Sequence, residues 1–367
     1  MQIAIVCGDD ETAVGGGFGG SELAEFGAAL AAQHHTINAY RPHAEVPAEP
    51  SAPTLVLPHL GAWADQLDRA WAANPPDVVH AFGWLGGLAA QLAARRHELP
   101  LVQSFHGLAE SSIPGERVRL EPLLVRNANW VTGGSSAEVD ALARLRRSRA
   151  QLSVLSSGVD VDRFAPADPS AADGPVRILQ VEPNALPQHG FDKVIRILPI
   201  LPGVELVLAE TDAGDPRHDR ERTALNRLAT GLGVQDRVRF AGSVAAEELP
   251  ALVRSADVVV CAARHAPQAT TALRAMASGV VVVATAVGAL TDTVINGVTG
   301  LLVSPAKPYE LTAALKSLHG QRFQRQSMGA AGRARAISRF TWDRIALDAL
   351  GVYQRATADR TKSSAIA

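Results

Sequence analysis

The feature that most constrains the fold is the stretch 256–303, ADVVVCAARHAPQATTALRAMASGVVVVATAVGALTDTVINGVTGLLV. It holds two Val-rich runs of four residues, 258–261 and 280–283, on either side of a helix-prone segment at 270–278. Continuous apolar runs this short suit strands covered on both faces, as in a parallel sheet. The loop 264–269 then lies at the carboxyl edge of that sheet, where open α/β sheets hold ligands against helix N-termini. The stretch therefore predicts the wall of a binding site as well as a fold class.

At 367 residues the chain exceeds one ordinary core, so two domains are expected. A hydrophobic fraction of 47% and a charged fraction of 20% are those of a globular protein. The net charge of −2 gives no electrostatic footprint for nucleic acid. The only cysteines, Cys7 and Cys261, are each flanked by strand-like apolar residues, which predicts buried thiols rather than a disulfide or a zinc site. The chain starts on a strand without a basic leader, and no apolar run reaches the ~18 residues of a membrane span, so a soluble, cytoplasmic protein is expected.

Taken in order, residues 1–6 read as a strand left through Asp9, Asp10 and Glu11. Gly15–Gly20 then opens a helix through Leu23, Phe26 and Leu30. The string formally fits G-x-G-x-x-G. It starts too far beyond the strand for a dinucleotide fingerprint, and no acidic residue lies about 20 positions on. A glycine loop at a helix N-terminus suits an anion or a closely approaching ligand; the alternative is a loop that is simply mobile. Further strands are expected at 75–80, 101–105, 129–132 and 152–155, with a helix at 136–145 capped by Ser135 or Ser136. His106 ends one of these strands and precedes Gly107. It either faces a cleft or only hydrogen-bonds a loop. The stretch 165–175, APADPSAADGP, reads as a linker. After it the alternation restarts with strands at 176–181, 205–208 and 238–240 and helices at 191–198, 220–232 and 247–255. Amphipathic helices are expected at 308–318 and 325–340. A last helix runs from about 341 to 353, and residues 358–367 read as frayed. The whole is an α/β chain of two doubly wound Rossmann-like domains, 1–168 and 169–340, with a C-terminal helix and tail, 341–367, packing back towards the first.

With these residues in view, the chain resembles the retaining glycosyltransferases of family 4, which have the GT-B fold of two Rossmann-like domains facing across a cleft. The resemblance rests on the Gly15–Gly20 loop and on DVVHA (77–81), SFHGL (104–108), SGVDVDRF (157–164) and GFDKVI (190–195). It continues through DRVRFAGSV (236–244), AMASGVVVVATAVGALTDTVINGVTGLLV (275–303) and RFTWDRIA (339–346). It implies metal-independent transfer of a hexose from a nucleotide sugar, with the donor on the second domain and the acceptor on the first. It also implies an Arg and a Lys on the donor diphosphate, two glutamates on the sugar and ribose, and a strand-end histidine, here His106, at the donor sugar.

The residues depart from that pattern at the donor site. Where the family's Gly-Arg is expected stands Glu182-Pro183, and His189 occupies the place of the Lys. Ala266 and Arg274 stand where the two glutamates are expected. Losing two preorganised cations could cost on the order of 10⁴ in rate or more. Arg264, His265 and Arg274 bring new positive charge to the same wall. Either they rebuild an anion site or they solvate a vacated loop.

The expected site therefore comprises His106 as the catalytic residue. The nucleotide-sugar ligands would be Gly16, Gly17, Gly19, Gly20, His189, Arg264, Thr270, Thr271 and Arg274, with no metal and no cofactor apart from the donor substrate. The expected partners are a nucleotide sugar or nucleoside diphosphate and a small or lipid-linked acceptor, with no nucleic acid. Two functional readings stay open: a transferase with an altered donor site, or a catalytically silent relative that binds a ligand or partners an active transferase. An NAD-dependent oxidoreductase would rest on the glycine string alone. The basic residues Arg117, Arg119, Arg144, Arg146, Arg147 and Arg149 form either a patch for peripheral membrane contact or a solvated helix face.

Overall fold

The first strand, β1 (Gln2–Cys7), is buried from Ile3 onward and feeds two cores. Ile3, Ile5 and Cys7 enter one, Ala4 and Val6 the other, as the two-residue period of a strand covered on both faces requires. The computed structural model describes residues 1–8, 20–42, 56–109, 115–166, 174–211 and 218–364. Asp9, Asp10 and Glu11, the glycines at 16, 17 and 19, and most of the 165–175 linker lie outside the described residues. The chain divides into two units, residues 1–157 with 342–367, and residues 158–341.

In the first unit β1 is followed by α1 (Gly20–Ala32), β2 (Thr36–Tyr40), α2 (Val56–Ala73), β3 (Val78–Phe82) and α3 (Gly83–Arg96). Then come β4 (Leu101–Phe105), α4 (Glu116–Asn127), β5 (Trp130–Gly133), α5 (Ser136–Arg146) and β6 (Leu152–Val154). The strands form one parallel sheet in the order β2-β1-β3-β4-β5-β6, so the winding reverses between β1 and β3. Trp63, Leu67, Trp71 and Leu85 fill one face.

The second unit holds β7 (Val176–Glu182), α6 (Phe191–Ile195), β8 (Val204–Glu210), α7 (Asp219–Gly231), β9 (Val238–Ser243), α8 (Leu249–Arg254) and β10 (Val258–Cys261). It continues through α9 (Thr270–Ala277), β11 (Val281–Thr285), α10 (Gly288–Thr293), β12 (Gly300–Val303), α11 (Pro308–Gly320) and α12 (Arg322–Arg339). Its parallel sheet runs β12-β11-β10-β7-β8-β9. The winding reverses between β7 and β10, the topological switch point at whose carboxyl side a crevice opens in such sheets. The Val-rich runs are buried throughout and alternate between the two cores, with Val259 and Val282 on one side and Val258, Val260, Val281 and Val283 on the other.

The last helix, α13 (Trp342–Ser364), belongs to the first unit and lies against α1. Ile345, Ala346, Ala349 and Tyr353 cover the Ile3–Ile5 face. Two expectations require correction. The tail expected to fray from 358 instead continues this helix to Ser364. The helix expected over 191–198 stops at Ile195, and a 3-10 turn follows over Leu198–Ile200. Pro199 fits that stop, since it has no N–H to donate to the Ile195 carbonyl four residues earlier.

Candidate functional site

The carboxyl edge of the second sheet is built from the ends of β7, β8 and β10. Glu182 and Glu210 close β7 and β8 in register with each other. Glu210 is buried and held by Arg222, with Nε to Oε1 and Nη2 to Oε2 both at 2.9 Å. A fork-to-fork pair of this kind is geometrically specific, and these bonds raise the Arg222 guanidinium above its ordinary value.

Glu182 has different company. Its Oε2 lies 3.3 Å from Nδ1 of His189, and its Oε1 accepts from Gln180 Nε2 at 3.3 Å. The same Gln180 amide nitrogen donates to the His189 carbonyl at 2.8 Å. His189 is 5% exposed, and its Nε2 finds no partner among the described residues. Buried polar atoms are almost always hydrogen-bonded, so an orphan imidazole nitrogen at a sheet edge marks a place for a ligand atom or a water. Gly190 follows with φ of +78°, and a Cβ there would come within 2.4 Å of the Ala262 carbonyl oxygen. Only glycine lets this turn close onto the end of β10.

Two cations stand beside the pair. Lys193, on α6, donates from Nζ to the Ala262 carbonyl at 2.8 Å. Burial lowers its ammonium pKa, and the nearby Arg264 charge lowers it further, against the opposing pull of Asp192 and Glu182. Arg264 is exposed, with its backbone N–H bonded to the Gln188 carbonyl at 2.8 Å. Burial also raises the Cys261 thiol, and Glu182 adds to that shift.

Helix α9 begins beyond the loop. Thr270 is half-buried in its first turn, and Thr271 Oγ1 donates to the Val181 carbonyl at 3.1 Å, tying the helix to β7. Gln268 points both amide atoms inward, and neither has a partner among the described residues. Arg274 sits in the last turn, with its guanidinium 5.6 Å from the centre of the Phe164 ring. The structure thus gathers His189 and Arg264 with Glu182 and Lys193, and sends Arg274 to an aromatic face.

In the first unit His106 follows β4, with its ring parallel to Phe82 at 5.9 Å. Phe82 in turn lies 4.1 Å from the ring of His80. His80 is fully buried; Nδ1 lies 2.7 Å from the Tyr353 hydroxyl and Nε2 2.6 Å from Ser104 Oγ. Burial brings both imidazoles down to about 3, so both are neutral near pH 7.

The backbone after His106 is clamped. Gly107 N–H donates to Glu138 Oε1 at 2.6 Å, and Gly134 N–H to Oε2 of the same carboxyl at 2.7 Å. Ala109 N–H donates to Glu121 at 2.9 Å, and Arg117 joins Glu121 to the Gly107 carbonyl. Desolvation pushes Glu138 up to about 7.

Among the expected glycines only Gly20 falls within the described residues, as the first residue of α1. The basic patch expected from sequence loses two members. Arg117 is engaged as above, and Arg146 donates to the Val125 and Ala128 carbonyls and to Gln151. Both hold loops together instead of facing outward. Lys193, Glu138, Glu121 and Tyr353 were not singled out as site residues from sequence. Lys193 stands only three positions beyond Gly190, but which way it reaches depends on the phase of a short helix.

Two doubly wound α/β units, each with a reversal in its winding, define a Rossmann-like class of architecture. Comparison with known proteins narrows it. Residues 167–335 match the family described as Glycosyl transferases group 1, and residues 19–158 match the Glycosyl transferase 4-like domain. A D-inositol 3-phosphate glycosyltransferase of Stackebrandtia nassauensis is 33% identical over 335 residues, covering 83% of this chain and 74% of the relative. A sucrose-phosphate synthase from Thermosynechococcus elongatus superposes with a TM-score of 0.82 at 23% identity, over 98% of this chain and 100% of that one. Anabaena Alr3699/HepE, solved in complex with UDP and glucose, gives 0.75 at 19% identity, over 96% and 99%. The chain belongs to the group 1 glycosyltransferase family, with the GT-B fold. Among the described residues, no helix is long and apolar enough to cross a membrane.

Proposed function

We propose that this chain is a hexosyltransferase that binds the nucleoside-diphosphate end of a nucleotide sugar at the carboxyl edge of β7 and β10. The carrying observation is the buried, unpartnered Nε2 of His189 beside the exposed Arg264 at the switch point. The UDP-bound fold relative supports a nucleotide donor. The relatives named for D-inositol 3-phosphate support a small polar acceptor.

The acceptor hydroxyl oxygen bonds to the anomeric carbon while the bond to the diphosphate breaks, the electron pair leaving with the phosphate oxygen. The acceptor's proton passes to that oxygen, with retention at the sugar and without a metal. Cations held at the phosphate stabilise the charge that develops there. Once protonated, His189 is an Nε2–H donor backed by the Glu182 carboxylate on its other nitrogen. His106 is assigned the catalytic role at the sugar that the family resemblance implies.

A second reading has its own support. Glu182 puts a carboxylate at the phosphate end of the site, Ala266 offers no carboxylate, and Arg274 is turned to Phe164. On that reading the chain binds a ligand, or a partner transferase, without turnover. Calorimetric titration with UDP, GDP and ADP and their sugars decides first. Micromolar binding of one set supports a donor site, whereas no heat with any of them removes the transferase reading. Binding without sugar release or transfer to inositol phosphates and related polyols would favour the silent relative.

A further inference from the structure

We propose that Lys193, acting with Arg264, is the cationic ligand of the donor's diphosphate, taking over from the position now held by His189. The inference rests on the nucleotide-donor reading above and names the residue that makes it workable.

Lys193 Nζ is anchored on the carbonyl of Ala262, the residue after β10, across the switch point from the end of β7. An ammonium carries three donors, so two remain once Ala262 is satisfied. Among the described residues, no carboxylate forms an ion pair with Lys193 or Arg264. Asp192 on the same helix lies 3.8 Å from Arg196, and Glu182 is engaged by His189 and Gln180. Two like charges are therefore brought within electrostatic reach of each other, one of them partly buried, while Asp192 and Glu182 act on Lys193 from beyond ion-pair distance. Placing Lys193 and Arg264 close together costs repulsion that a bound anion would offset, an arrangement found at anion-binding sites.

The orphan Nε2 of His189 is a separate observation pointing to the same place. The charged and titratable groups around this spot are Glu182 on β7, His189 before α6, Asp192 and Lys193 on α6, Cys261 on β10 and Arg264 beyond it. An incoming diphosphate would place its negative charge between Lys193 and Arg264 and offset their mutual repulsion. The alternative role for Lys193 is a structural hook between α6 and β10.

The test is titration of the full chain and of Lys193→Gln, Lys193→Arg and Arg264→Gln. The probes are whichever of UDP, GDP and ADP binds most tightly and the matching phosphate-free nucleoside. Removing one charged contact to phosphate is expected to weaken nucleoside-diphosphate binding about 10–100-fold. Binding of the nucleoside should be unchanged, and Lys193→Arg should restore most of the loss. Thermal unfolding of Lys193→Gln separates a lost contact from a lost fold. Diphosphate affinity equal to wild type in a folded Lys193→Gln would overturn the inference and leave the donor reading standing. Failure of the wild-type chain to bind any of the three nucleotides would remove both.

Discussion

Glu138 shows how much a single side chain carries in this molecule. It caps no helix by itself, since Ser135 does that for α5 by accepting from the Glu138 N–H. Its carboxyl instead spans Gly107 and Gly134 and so holds the backbone beside His106. Its folded pKa, about 7, lies above the ordinary 4.5. Between those values the native state holds a proton that the unfolded chain has released. The stabilisation is therefore complete below about pH 4.5 and is lost as pH rises through about 7. Glu138→Gln is expected to remove that pH dependence while keeping an acceptor for one N–H. Unfolding midpoints of the two proteins from pH 4.5 to 7.5 would measure it, and parallel curves would refute the assignment. In the sequence Glu138 is a first-turn acid of the α5 helix. Gly134, four residues away, is within capping-box reach, but Gly107 lies on the loop after β4 and no local spacing joins it to Glu138.

At the scale of elements, the short apolar strands were read well because burial on both faces leaves them little else to be. Helix ends were read less well. α6 stops at Ile195 because of Pro199, a residue in plain sight, whereas α13 continues past 358. Amphipathic spacing placed α13 as a helix; its packing against α1 and the Ile3–Ile5 face is tertiary. That packing includes a polar seam, in which Tyr353 reaches His80, His80 reaches Ser104, and Ser104 reaches Thr132. Tyr353→Phe deletes one end of the seam and leaves His80 Nδ1 buried without its partner. The expected cost is about 1–3 kcal/mol, the penalty for an unmet buried polar group, read by denaturant unfolding. A loss well under 0.5 kcal/mol would show that the seam contributes little.

At the scale of the molecule, His80 and His106 contribute an acid sensitivity to its stability. His80 and His106 have folded pKa values of about 3 against an ordinary 6.5. Here the unfolded chain takes up protons that the native state refuses. Their contribution is complete above about pH 6.5 and falls away as pH drops towards 3, the opposite sense to Glu138. His80→Gln is therefore expected to be less stable at pH 7 but to lose less stability on acidification to pH 5, as followed by unfolding midpoints. An unchanged acid slope would remove His80 as a cause.

Legible in the residues alone were the two parallel sheets and the buried thiols at Cys7 and Cys261. Those follow from residue type and period, which are local. Which charges meet is settled by how the strands are ordered in space. The reversal of winding sets β7 beside β10, although their residues are far apart in the chain, and so puts Lys193 on the Ala262 carbonyl with Arg264 and Glu182 nearby. Charge interactions depend on distance in space, and a sheet's strand order, unlike its hydrophobic period, is written in no single segment.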